Sequence, residues 1–295
     1  MKKILVLGGT RFFGKKLVSR LIQQPGCAVT VLTRGNTADG FGGTVTRLRA
    51  DRSNPGQLEE ALGDSSWDVV YDNICYSPDD ALSARNLFQG RTGRYILTSS
   101  LSVYDPRPEA LTEAMFDPYE YPVRQGSKDD FTYQEGKRLA EAVLLQQSDF
   151  SAAAVRFPIV LGEDDYTRRL HFHIEHILGG EPVGVPNPDA RISFITSDEA
   201  ADFLYALGAG TLSGPVNACS DGTVSIGELM AMIERETGKK ADIRRDTPEK
   251  HQSPFGIEQS WHMDTSKARA AGYTFRELKD WLTPLISAIH RELTV

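Results

Sequence analysis

A tyrosine and a lysine stand one helical turn apart in the run Tyr133-Gln134-Glu135-Gly136-Lys137, which puts both on one face of a helix. An ammonium close to a phenol favours the phenolate and lowers a pKa that starts at about 10, so Tyr133 can exchange a proton with a substrate oxygen near neutral pH. The same lysine can hold the ribose of a nicotinamide cofactor. With 10 tyrosines in the chain, one such spacing arises easily by chance, and its weight comes from what surrounds it. Upstream, a strand ends in Thr98-Ser99-Ser100-Leu101-Ser102-Val103-Tyr104, which sets hydroxyls at the carboxyl edge of a sheet, where open α/β folds bind ligands. Ser100 is placed to hydrogen-bond the same substrate oxygen.

A third cluster opens the chain. Lys3-Ile4-Leu5-Val6-Leu7 reads as a buried parallel strand and runs into Gly8-Gly9-Thr10-Arg11-Phe12-Phe13-Gly14, followed by a helical pattern with Leu17, Val18, Leu21 and Ile22. Small residues there let the backbone approach a pyrophosphate resting on the N-terminus of the next helix, which points to NAD or NADP. Arg11 stands where a G-x-x-G-x-x-G turn has its middle glycine, so the spacing is GGxxxxG.

The elements that position these residues alternate. Strands are expected at Ala28–Thr33, Val45–Arg49, Asp68–Tyr71, Tyr95–Thr98, Ala152–Phe157 and Val216–Ala218, and helices over Gln57–Leu62, Pro78–Phe88, Lys128–Gln147, Arg168–Leu178, Asp198–Leu207, Ile226–Thr237 and Phe275–Glu292. Alternation of this kind implies right-handed crossovers and a doubly wound parallel sheet. The tract Asp105–Ser127, rich in proline, acid and tyrosine, has the character of a long functional loop with substrate passing beneath it. Asp164 and Asp165 read as the acidic opening of a helix.

At 295 residues and 40% hydrophobic composition, the chain can bury a full core. Cys27, Cys75 and Cys219 are far apart, which argues against a disulfide framework or thiolate metal site and fits a reducing cytosol. His171, His173 and His176 with Glu175 read as surface histidines of a substrate-lobe helix, open to lining a pocket, with no metal expected. A net charge of -7 disfavours extended contact with nucleic acid, Arg244-Arg245 being the nearest approach to a basic cluster. No stretch approaches the length of a membrane span.

These motifs together resemble the short-chain dehydrogenase/reductase superfamily, in its extended or atypical NAD-dependent epimerase/dehydratase branch, GGxxxxG subgroup, over nearly the whole chain. The resemblance implies a Rossmann-type doubly wound α/β fold with a smaller C-terminal substrate lobe. Residues 1–160 would form the NAD(P)-binding core, completed by about 191–220, with 161–190 and 221–295 mainly substrate lobe and C-terminal helix. Ser99-Ser100-Leu101-Ser102-Val103-Tyr104 is similar to the family's S-S-x-x-V-Y-G motif and Tyr133 to Lys137 to its Y-x-x-x-K, implying catalytic roles for Ser100, Tyr133 and Lys137. Arg156-Phe157-Pro158-Ile159-Val160-Leu161-Gly162 resembles R-P-x-x-V-Y-G, which sets Phe157 and Pro158 beside the cofactor. Arg191 to Asp198 resembles R-x-x-x-I-H-V-x-D, implying that Arg191 meets a substrate phosphate, and Met263 to Ala268 resembles a late D-x-S-K-A turn.

Departures from the pattern matter as much. Leu101 and Ser102 replace the Asp-Glu pair of nucleotide-sugar dehydratases, which disfavours that reaction. The stretch Glu249–Trp261 offers only Lys250 and His251 where epimerases often add an arginine, and Asn73 is the nearest candidate for the family's active-site asparagine. At the end of the second strand, NAD enzymes carry an acid for the adenosine ribose, whereas this chain has Thr33-Arg34. Arg34, with Arg11, suits a 2'-phosphate and favours NADP over NAD, and Asp51 resembles the family's adenine-binding acid, with a turn or cap role as its ordinary alternative. The expectation is a cytoplasmic NAD(P)-dependent oxidoreductase or epimerase acting on a hydroxyl or carbonyl carbon of a small molecule, such as a sugar or nucleotide sugar. A family-type homodimer would use the helix carrying Tyr133 and the one ending at Phe88. The alternative is a non-catalytic NAD(P)-binding regulatory or RNA-binding protein of the same fold.

Overall fold

A computed structural model describes residues 1–294. In chain order the first half contains β1 (Lys2–Leu7), α1 (Phe12–Ile22), β2 (Cys27–Thr33), β3 (Thr46–Arg49), α2 (Pro55–Leu62), β4 (Trp67–Asp72), α3 (Pro78–Phe88), β5 (Thr92–Ser100), α4 (Tyr133–Gln147) and β6 (Ser151–Phe157). Shorter strands follow among the helices: β7 (Ile159–Leu161), α5 (Arg169–Gly179), β8 (Pro182–Gly184), β9 (Arg191–Ile192), β10 (Phe194–Thr196), α6 (Ser197–Ala209), β11 (Gly214–Asn217), β12 (Val224–Ser225), α7 (Ile226–Thr237), β13 (Asp242–Arg244), α8 (Ser266–Ala270) and α9 (Leu278–Thr294).

Seven strands form one sheet in the order β11-β6-β5-β4-β1-β2-β3, every neighbouring pair parallel. The chain order reverses between β1 and β4, the switch point at which ligands bind such sheets. The expected doubly wound α/β fold is present. Strand β1 shows why both faces must be covered: Ile4 and Val6 enter the core with Leu17 and Val18 of α1 and Ala200 and Leu204 of α6. Leu5 and Leu7 point the other way, into a core with Leu58 of α2, Ala81 and Phe88 of α3, and Val143 of α4. A third core gathers Leu170, Ile174 and Ile177 of α5, Leu229 and Ile233 of α7, and Trp281, Leu282 and Ile286 of α9. Three two-stranded pairs, β10-β7, β12-β9 and β13-β8, accompany it.

Four sequence expectations change. The helix expected from Lys128 begins at Tyr133, because the Asp130 carboxylate accepts from the Ser127 amide at 2.7 Å and hydroxyl at 2.8 Å, folding this stretch into a turn, and Thr132 caps α4 by accepting from the Glu135 amide at 3.2 Å. The last helix starts at Leu278 instead of Phe275, since the Arg276 carbonyl accepts from the Asp221 amide and the Leu278 amide donates to the Asp221 carbonyl. Asp164 and Asp165 open no helix: α5 begins at Arg169, the Asp165 carboxylate accepts from the Thr167 amide and hydroxyl, and Asp164 accepts from Ser197 and pairs with Lys16. Finally, His171 and His173 are buried, not surface residues.

His173 shows how that burial is tolerated. Its Nδ1 lies 2.8 Å from the Arg169 carbonyl, its Nε2 lies 2.7 Å from Ser253 Oγ, and Phe255 stacks on the ring at 4.5 Å. Burial lowers its pKa to about 3 from 6.5. A depressed folded-state value means that the neutral ring stabilises the fold fully above about pH 6.5, and that this contribution is lost as pH falls towards 3. Between pH 7 and pH 5 the native chain is therefore expected to lose about 2 kcal/mol that a His173→Gln variant keeps. Urea midpoints at the two pH values check this, and parallel losses in both chains would refute it.

Candidate active site

Local geometry at the carboxyl end of β1 leaves no room for side chains at two glycines. Gly8 has φ +79°, and a Cβ there would sit 2.6 Å from Ile74 Cγ2; a Cβ on Gly14 would sit 2.5 Å from the Gly8 carbonyl oxygen. Gly9 is buried, and a Cβ there would crowd Val18 Cγ2 at 2.8 Å. Arg11 is extended at φ -137°, so this position does not need glycine's freedom. No side chain caps α1 and no carboxylate lies in its first turn, whereas α2, α3, α4, α6 and α7 are capped by Asn54, Ser77, Thr132, Thr196 and Ser225. Free amides and close backbone approach suit a dinucleotide diphosphate. Thr10 and Phe13 are half-buried beside this turn, and Phe12 is buried.

Asn73 belongs to this turn. Its Nδ2 donates to the Gly8 carbonyl at 3.4 Å and its Oδ1 accepts from Thr98 Oγ1 at 2.8 Å, which ties the glycine turn to β5. Neither of these hydrogen bonds involves Tyr133. Strand alternation sorts the neighbouring hydroxyls: Thr98 goes to Asn73, and Ser99 donates to buried Glu141. Ser100 Oγ accepts from the Ser102 amide at 3.1 Å, which leaves its own proton free to donate.

The first turns of α4 bracket Ser100. Lys137, 1% exposed, donates to the carbonyls of Cys75 at 2.7 Å and Thr98 at 2.8 Å. Arg138 Nε donates to the Val103 carbonyl, and Gln134 Nε2 to that of Tyr104. Gly136 carries no side chain where the Tyr76 carbonyl presses on the helix, and that contact brings the Tyr76 ring to 4.6 Å from the Lys137 ammonium. Tyr133 lies at the helix start, 54% exposed, its ring 5.8 Å from Lys137 Nζ and 6.3 Å from the Tyr76 ring. Lys137 has three donors, of which the two carbonyls take two. Burial first, then the phenols of Tyr133 and Tyr166, push the Tyr76 phenol above its ordinary value, so Tyr76 stays protonated.

Beneath this edge, Arg156 is fully buried and donates to both Glu141 carboxylate oxygens, to Tyr104 Oη at 2.7 Å, and to the carbonyls of Glu113 and Phe116. Tyr104 in turn donates to Asn217 Oδ1 at 2.7 Å. The first part of the long segment after β5 is thereby tied to the sheet. Its later part lies along α4, where Gln146 Nε2 donates to the carbonyls of Pro118 and Tyr121, on a helix expected to meet a second copy.

The remaining expected residues are more dispersed. Arg34 is exposed just after β2 with no side-chain partner among the described residues, and its carbonyl accepts from Arg49 Nε at 3.0 Å. Asp51 takes its ordinary role in a turn, its carboxylate accepting from the Ser53 amide. Phe157 is buried against Phe13 at 6.0 Å, next to buried Pro158. Arg191 donates to Thr223 Oγ1 and carbonyl and lies 3.3 Å from Glu228, so these partners already engage its guanidinium. Tyr76, Tyr166, Glu141 and the anchoring role of Arg156 escaped the sequence reading; only Gly136, unusual inside a helix, hinted at a close approach. Among the described residues no group of three or more His, Cys, Asp or Glu side chains is arranged to hold a metal, and no helix is long and apolar enough to cross a membrane.

Residues 4–85, which hold the glycine turn, Arg34, Asp51 and Asn73, match the model of the NAD dependent epimerase/dehydratase family. The resemblance drawn from the motifs is borne out there. A sequence relative, the chloroplast stem-loop binding protein of 41 kDa b of Arabidopsis thaliana, is 28% identical over 228 residues, 70% of this chain. The match takes in 55% of that protein, so the chain spans about half the length of its relative. Among solved structures, the UDP-glucose 4-epimerase of Thermus thermophilus in complex with NAD superposes with a TM-score of 0.73 at 18% identity, over 99% of this chain and 100% of that one. The UDP-glucuronic acid 4-epimerase of Bacillus cereus, in complex with UDP-glucuronic acid and NAD, gives 0.72 at 19% identity over 98% and 99%. At such identities these likenesses establish the fold.

Proposed function

We propose that this chain is an NAD(P)-dependent oxidoreductase or epimerase that acts on a carbon bearing a hydroxyl or carbonyl in a small molecule, with a nucleotide sugar as the leading substrate class. The observation that carries the reading is the bracket around Ser100: Lys137 fixed on the Thr98 and Cys75 carbonyls, with Tyr133 one turn away and solvent-exposed. When bound, a nicotinamide supplies the hydride acceptor or donor. The chain's own residues handle the proton. Ser100 donates a hydrogen bond to the substrate oxygen and orients it, Tyr133 takes or returns the proton at that oxygen, and Lys137 directs its remaining N–H to the cofactor ribose. The glycine turn and the uncapped end of α1 receive the diphosphate. The solved epimerases that share the fold were captured with NAD, and one with a UDP-sugar acid, which supports the substrate class.

For the cofactor, we infer a preference for NADP. Exposed Arg34, with Arg49 on its carbonyl, stands where NAD enzymes present a carboxylate, and a guanidinium pairs bidentately with phosphate. A rival reading, a non-catalytic RNA-binding protein, draws on the stem-loop binding relative. Against it, three basic residues of the C-terminal region face carboxylates: Lys240 meets Glu234, Arg244 meets Asp242, and Arg245 lies 4.0 Å from Glu258. Salt-sensitive retention of a stem-loop RNA, with no dinucleotide bound, would favour this rival.

Two variants test the reading. Tyr133→Phe should lower turnover of a UDP-sugar or carbonyl substrate by at least about 100-fold while dinucleotide affinity stays within two-fold, as expected for loss of a general acid/base; full activity would refute the role. Arg34→Ala should weaken NADPH binding about ten-fold or more and leave NADH nearly unchanged, measured by fluorescence titration. Equal effects on both cofactors would remove the NADP preference.

A further inference from the structure

Tyr166 connects the glycine turn to the segment that leads into α5. It is 62% exposed, yet the Arg11 guanidinium lies 5.7 Å from its ring centroid and the Phe12 ring meets it edge-on at 6.2 Å. Arg11 also reaches the other way: its Nε donates to Thr37 Oγ1 at 3.1 Å in the loop after β2. Its terminal amino groups have no hydrogen-bond partner among the described residues. Phe12 holds φ +51°, a left-handed backbone that bulky side chains rarely adopt and that persists only when surroundings over-determine it. Here Phe13 at 5.7 Å and Tyr166 fix its ring. A glycine at position 11 would supply neither the Thr37 bond nor the Tyr166 contact.

We propose that Arg11 and Tyr166 form a clasp across the dinucleotide groove, in which the guanidinium binds the cofactor diphosphate and the Tyr166 ring holds that arginine in place, slowing cofactor release. The proposal rests on the dinucleotide-binding reading given above. Guanidinium groups bind phosphate oxygens through charge-assisted bonds, and a ring face within about 6 Å steadies the cation. Tyr166 is a positioning residue that acts through Arg11 by its ring, so the hydroxyl is dispensable.

The test is release of NADPH from the full chain, followed by stopped-flow fluorescence with excess NADP as competitor. Tyr166→Ala should release NADPH about five-fold faster than the native chain, on the order of an exposed cation–π contact, whereas Tyr166→Phe should release at the native rate. Arg11→Ala should release faster still, and adding Tyr166→Ala to it should change nothing further. Native release from Tyr166→Ala, or equal acceleration in Tyr166→Phe, would overturn the clasp while leaving dinucleotide binding intact. A native chain that binds neither NADPH nor NADH would overturn both the clasp and the reading beneath it.

Discussion

A buried ammonium sets the geometry of the candidate site. Lys137 is almost wholly withdrawn from water and its charge is stabilised by two carbonyls, Cys75 after β4 and Thr98 on β5. Removing a charge from water costs several kcal/mol unless oriented dipoles replace the lost hydration, so strand ends and helix must stay in register. Three further features serve that register. Gly136 admits the Tyr76 carbonyl against the helix, Thr132 sets where the helix begins, and Arg138 holds the turn after Ser100. With α4 fixed, Tyr133 has little choice of position.

A second buried charge fixes the floor. Arg156 and Glu141 are both fully buried, and the arginine's other donors reach Tyr104, Glu113 and Phe116. Breaking such a pair by removing one partner costs about 3–5 kcal/mol, because the survivor is left charged and unpaired. Its value here is positional: a single guanidinium joins β6, α4 and the segment that follows Ser100. Residues of the motifs that resembled family signatures, Tyr104 and Arg156 among them, thus do structural work beneath the residues expected to do chemistry.

Much of the fold was legible because parallel strands buried on both faces read as apolar runs, and because Pro78 with Asp79 and Asp80 marks a helix start by ordinary backbone chemistry. Beyond Phe157 only β11 was legible, expected at Val216–Ala218; the other strands there were not, since two or three residues cannot display a period of two. The start of α4 was misplaced because Lys128 to Asp130 are compatible with a helix until the Asp130 carboxylate captures Ser127. His173 looked like a surface residue because its partner, Ser253, lies 80 positions away. At the candidate site, Tyr133, Lys137, Ser100 and the glycine turn were proposed from local spacing. Tyr76 and Tyr166 were not, because the placement of Tyr76 beside Lys137 and of Tyr166 beside Arg11 depends on contacts between distant parts of the chain. Asn73 follows β4 directly, and its amide is engaged by Gly8 and Thr98.

The account rests on Lys137 serving both the sheet edge and a bound cofactor. Fluorescence titration of NADPH against Lys137→Met, with circular dichroism recorded on the same sample, tests this most directly. The account predicts a folded chain whose NADPH affinity falls at least about ten-fold, in line with the loss of a charge-assisted bond. A folded variant that binds NADPH as tightly as the native chain would contradict it.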